Sequence, residues 1–120
     1  MRLAALACAF VACACGTSFD HVNYEPIGGV PDGVLLRPRL VSLPVGVSVA
    51  AHIIAVNDSN QIMGCEPTLT SDVETIMMIE RADRGSTVFT GVAPGGTTIL
   101  VHCSGEDGTI AGRVTTTPSP

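Results

Sequence analysis

Tryptophan and lysine are both missing from this 120-residue chain, and aromatic residues of any kind make up only 3% of it. Without indole bulk a core must be built from Val, Ile, Leu and Ala. The 46% apolar content and the length suffice for one such core in one domain. Without lysine, all six basic residues are arginines, set against eleven acids, for a net charge of −5. No basic stripe can be assembled from them, so nucleic acid is not an expected partner. No apolar run reaches the roughly 20 residues that a membrane-spanning helix needs. Within residues 33–116 no segment sustains helical periodicity either, and this argues against any helical or α/β architecture.

What is present begins at the N-terminus. Arg2 precedes an uninterrupted apolar run over residues 3–14, mostly of small side chains, which suits the h-region of an export signal. The run gives way to Cys15-Gly16-Thr17-Ser18. This pattern resembles a bacterial lipoprotein signal, in which a Cys after a small residue becomes the acylated first residue of the mature chain. The resemblance implies a signal peptide over residues 1–14, lipid on Cys15, and a membrane as partner through that anchor. Ala14 fits the position before the cut. Cys13 is the alternative lipid site, because Ala12 stands where Leu is usual. Gly16 after the Cys implies the outer membrane of a Gram-negative envelope. A plain secretory cut after Ala14 without lipid, or an uncleaved N-terminus, are the competing readings. Three of the five cysteines (Cys8, Cys13 and Cys15) lie in this region, leaving Cys65 and Cys103 in the domain. Two lone cysteines in an exported chain read as one disulfide, against the alternative of two buried free thiols.

Residues 17–32, TSFDHVNYEPIGGVPD, are polar and rich in turn formers. They are expected to complete a flexible tether over residues 15–32, with His21 and Tyr24 solvated. The folded domain is expected over residues 33–116, and the tail 117–120 is expected to fray. Inside the domain, runs rich in Val, Ile and Thr recur between clusters of Gly, Pro, Asn and Asp, the pattern of an all-β sandwich. Along residues 47–56, Val49, Ala51, Ile53 and Ala55 fall on one side, with Ser48, Ala50, His52 and Ile54 on the other. Residues 97–103 place Ile99, Val101 and Cys103 inward, and Ile110, Gly112 and Val114 do the same in the last strand. His102 and Arg113 then face outward. Pro38 and Pro44 interrupt the first run, which should therefore be an edge strand.

Several pieces in order carry a family resemblance. LVSLPVGVSV (residues 40–49) has the form strand, Val-Gly turn, strand. Then come LTSDVETIMMIE (69–80), VFTGVAPGGTTILV (88–101) and a closing GTIAGRVTT. Together they resemble the bacterial Ig-like domain of group 2 (BIG2), the invasin and intimin type, over residues 35–116. Leu69 stands near a position where that family commonly has Trp. The resemblance implies a two-sheet antiparallel sandwich of about seven strands, used as stalk, spacer or adhesive tip, with no catalytic residue and no cofactor. In that topology the third and sixth strands are antiparallel neighbours. Cys65, just before the third, and Cys103, at the end of the sixth, then come within disulfide range.

The chemical candidates are weak beside this. In TGVAPGGTTILVHC (90–103) the glycines lead into a strand former rather than a helix, and no lysine follows. Pro94-Gly95 is therefore read as a turn and not a phosphate loop. A blue-copper set would need His52, Met63, His102 and Cys103 to converge, but no His or Met follows Cys103 at the required loop, and His102 and Cys103 point to opposite faces. Asp58, Asp83, Glu106 and Asp107 fall in expected turns, where oxygens can bind calcium. Their spacing matches no calcium loop, and Asx turns account for them. One of Met77 and Met78 should be core by alternation. No catalytic residue and no metal ligand is expected.

The sequence thus points to a non-enzymatic cell-envelope lipoprotein carrying one Ig-like module. Its expected role is binding, adhesion or structure, with a protein or carbohydrate ligand met by loops at one end or by a strand edge. The rival reading is a decoration protein on a phage or virion surface, which would keep Met1.

Overall fold

The computed structural model describes residues 18–82 and 85–116. The alternation of β-branched and polar residues resolves there into nine strands: β1 (Phe19–Pro26), β2 (Leu35–Arg37), β3 (Leu40–Pro44), β4 (Ser48–Asn57), β5 (Thr68–Ser71), β6 (Met77–Arg81), β7 (Thr87–Gly91), β8 (Gly95–Cys103) and β9 (Glu106–Thr115). They form two sheets, in the orders β1-β4-β7-β6 and β2-β3-β9-β8-β5. Every neighbouring pair is antiparallel except β3 and β9. With β1, β4, β7 and β6 on one side and β5, β8 and β9 on the other, the partition is that of an immunoglobulin-type sandwich.

The expected facing is observed. Val49, Ala51, Ile53 and Ala55 of β4 are buried, as are Ile99, Val101 and Cys103 of β8 and Ile110 and Val114 of β9. Ser48, His102 and Arg113 are exposed and His52 is half-buried on the outer side of β4. Met77 is fully buried while Met78 is exposed. Phe89 on β7 is the largest fully buried side chain, and Leu69 is buried with it in the same core. An aliphatic core with one central phenyl ring therefore replaces the missing indole.

Three expectations need correction. The flexible tether does not extend to residue 32, because Phe19–Pro26 forms β1 and pairs with β4 from Asn57 to Ala51. Val22 is fully buried and Phe19 and Tyr24 pack against the core. The register shifts between Phe19 and His21, so the inward residues Phe19 and Val22 are three apart. That bulge breaks the two-residue period by which a strand is recognised in sequence. The domain accordingly begins near Phe19 and not at residue 33, and the strands number nine where about seven were expected. Lastly, the first proline-broken run is not one edge strand. Pro38 and Arg39 form the turn of a hairpin in which β2 is the edge, while β3 is enclosed between β2 and β9. Residues 1–17, including Cys15 and the other candidate signal residues, and residues 117–120 lie outside the described residues.

Candidate functional surfaces and the disulfide

Cys65 and Cys103 form a disulfide, with Cα atoms 5.7 Å apart. β5 pairs antiparallel with β8 so that Thr68 lies opposite His102, which brings the approach to one strand beside the end of the other. Cys103 is buried and Cys65 half-buried. The bond thereby fixes the long connection after β4 onto the sheet.

The other cysteine- and histidine-based candidates do not converge. Cys103 is committed to the disulfide. His102 lies on the outer face of the five-stranded sheet, with Nδ1 2.5 Å from Asp107 Oδ1. His52 belongs to β4 in the opposite sheet and faces away from it. Met63 follows β4, with its amide bonded to the Ala55 carbonyl at 2.9 Å. Of the acidic candidates, Asp58 follows the end of β4, Glu106 and Asp107 open β9, and Asp83 lies outside the described residues. Among the described residues, no group of three or more His, Cys, Asp or Glu side chains is arranged to hold a metal ion. Ala93 and Pro94 form the bend before β8, and Gly95, at φ 145°, is the first residue of that strand.

Among the described residues the surface carries several open grooves. One is a groove of about 430 Å³ on the outer face of β5, β8 and β9, centred on exposed Leu100 and flanked by Thr70 and Thr109, with the His102–Asp107 pair at its end. Another is a groove of about 470 Å³ between β1 and β2, the edge strands of the two sheets, lined by Tyr24, Pro26, Val30, Leu36 and Pro38. Three contacts from alternate residues of β1 join it to β2 and the turn that follows β2. Arg39 Nη2 donates to Asp20 Oδ1 at 2.8 Å, the Val22 amide donates to the Pro38 carbonyl at 3.1 Å, and the Tyr24 hydroxyl donates to the Arg37 carbonyl at 2.8 Å. The hydrogen bond from His21, with support from Arg39, holds the Asp20 carboxyl below the ordinary carboxylate value against a smaller desolvation effect. Burial pushes the Tyr24 phenol up. Sequence reasoning missed this cluster because it rests on β1, whose alternation the bulge conceals.

The two ends of the sandwich are also distinct. At one, the Asp58 amide donates to the Ser18 carbonyl at 3.0 Å, so the described chain starts against the loop that follows β4. At the other, Thr115 pairs with Pro44, and the Val45 amide donates to the Thr115 carbonyl at 2.9 Å. The described segment therefore begins at one pole and ends at the opposite one.

No family model matches the chain, and no curated protein matches it either. Solved structures do. It overlaps domains 5–6 of the S-layer protein SbsC with a TM-score of 0.55 at 16% identity, over 79% of this chain and 47% of that one. It overlaps domains 4 and 5 of the same protein with a TM-score of 0.53 at 16% identity, over 78% of this chain and 54% of that one. The chain thus spans about half the length of these structures, and the likeness is one of fold.

Proposed function

We propose that this chain is a cell-envelope lipoprotein whose Ig-like module, of the group 2 bacterial type, serves a non-catalytic structural or binding role outside the membrane. The observation that carries the reading is the placement of Ser18, three residues after Cys15, at one pole and of Thr115 at the other. A module threaded end to end holds its exit pole away from whatever anchors its entry pole. The Cys65–Cys103 disulfide supports an oxidising, exported setting, and the SbsC likeness lies with domains of a surface-layer protein. A protein or carbohydrate ligand would be met by the exit-pole loops or by the groove between β1 and β2.

Mass measurement of the protein from its native host tests this directly. The expected product has lost residues 1–14 and gained acyl mass at Cys15, and Cys15→Ser abolishes the gain and releases the protein from membranes. The composition gives a second readout: with no lysine, the α-amino group is the only primary amine. An amine-reactive dye labels a cleaved chain with a free N-terminus once and a fully N-acylated chain not at all. Recovery of soluble, full-length, unmodified protein overturns the proposal and favours the particle-bound alternative.

A further inference from the structure

Among the described large hydrophobic residues, Ile62 is the most exposed, at 71%. It lies in the loop between β4 and β5, at the pole where the described chain begins. A single exposed aliphatic side chain is ordinary on a protein surface. Its position relative to the chain entry is what distinguishes this one. The Ser18 carbonyl accepts the Asp58 amide, so the entry point is bonded to this loop. From Cys15 to Ser18 is three residue steps, at most about 11 Å even when fully extended.

The loop is also held in shape. The buried Asn57 carboxamide oxygen accepts the amides of Ser59 and Gln61, both at 2.9 Å. The Met63 amide is bonded to Ala55, and Ile62 itself bridges back to Val56. Ile62 is thus presented by an ordered turn, so inserting it elsewhere requires little further ordering of the backbone. Residues 58–64 contain no cation, and their one charge is Asp58. Ile62 and Met63 share a shallow cleft with Glu106. An anionic surface would be repelled by these acids, whereas a zwitterionic one would not.

We infer that the loop of residues 58–63 seats on a neutral lipid surface, with Ile62 inserted among the headgroups and upper acyl chains. This rests on lipid attachment at Cys15, which brings the loop to the bilayer. The lipid supplies the retention, and an inserted side chain would fix the tilt of the module on the surface.

The absence of Trp makes the test direct, because one substitution supplies a unique fluorophore. Acylated Ile62→Trp and Val92→Trp proteins are reconstituted on phosphatidylcholine vesicles containing lipids brominated in the acyl chain, and bound protein is isolated by flotation. Val92, 42% exposed in the turn before β8, marks the opposite pole. Quenching of Ile62→Trp several-fold above that of Val92→Trp, with a blue shift of emission, supports the seating. Equal quenching, or none, in protein that floats overturns it while leaving the anchor intact. Failure to float, with Cys15 unmodified by mass, overturns both the anchor and the seating. In the unsubstituted protein, slowed hydrogen exchange at the amides of residues 59–63 on vesicles is the expected companion result, and unchanged exchange in floated protein counts against the seating.

Discussion

The Tyr24 hydroxyl donates to the Arg37 carbonyl at 2.8 Å, and so joins the outermost strands of the two sheets. The neighbouring Val22–Pro38 and Asp20–Arg39 contacts repeat the same connection at alternate residues of β1. An edge strand carried this way closes one flank of the sandwich by cross-links between sheets as well as by its ladder with β4.

Tyr24→Phe keeps the ring and removes the hydroxyl, and should cost about 0.5–1.5 kcal/mol, the usual net value of one such hydrogen bond. Tyr24→Ala also removes the half-buried ring and should cost clearly more. Urea unfolding of the three proteins checks the order. Equal stability of all three would mean that β1 contributes nothing to closure of this flank.

Phe19 and Gly108 test where the domain begins. A Cβ at Gly108 would lie 2.0 Å from the Phe19 ring, so β9 tolerates no side chain there unless Phe19 moves. Gly108→Val should destabilise by about 1–3 kcal/mol through overpacking. Phe19→Ala should lower stability itself and remove most of that penalty, because the clashing ring is gone. A chain starting at Ile27, which a tether reading would treat as harmless, should lose cooperative unfolding or fail to fold, since it lacks fully buried Val22. Thermal unfolding of these variants is the measurement. Full stability of the truncated chain would contradict the assignment of β1 to the core.

The Cys65–Cys103 bond closes a loop between residues 38 apart in sequence. On the chain-entropy account it contributes ~4 kcal/mol by restricting the unfolded chain. The double substitution Cys65→Ala with Cys103→Ala should lose most of that amount, plus a smaller part from the space left at buried Cys103. Cys65→Ala alone leaves Cys103 as a buried free thiol and should lose nearly as much. Oxidised and reduced wild-type protein compared by denaturant titration gives the same quantity without mutation. Reduction that leaves the unfolding midpoint unchanged would show that the bond adds no stability.

The sequence by itself determined the facing of the interior strands. In β4, β8 and β9 the buried apolar residues recur at every second position and most outward neighbours are polar or small, outward Ile54 and Leu100 apart, so the two-residue period of the pleat sets the facing. Two lone cysteines in an exported domain led to one disulfide as the expectation, with buried free thiols as the alternative, and the structure forms the bond. What the tertiary structure decided lies at the edges and the poles. β1 carries a bulge and is rich in polar residues, so its local sequence matches that of a linker, and only pairing with β4 and burial of Val22 make it a strand. β3 reads like an edge because of its flanking prolines, yet parallel pairing with β9 encloses it, and a parallel partner 71 residues away leaves no local trace, as Leu40 opposite Ala111 illustrates. The approach of Ser18 to Asp58, which brings the chain entry beside Ile62, likewise depends on how β1 lies along β4. Short-range periodicity is written in the order of residues; which distant segments meet is set by packing of the whole chain.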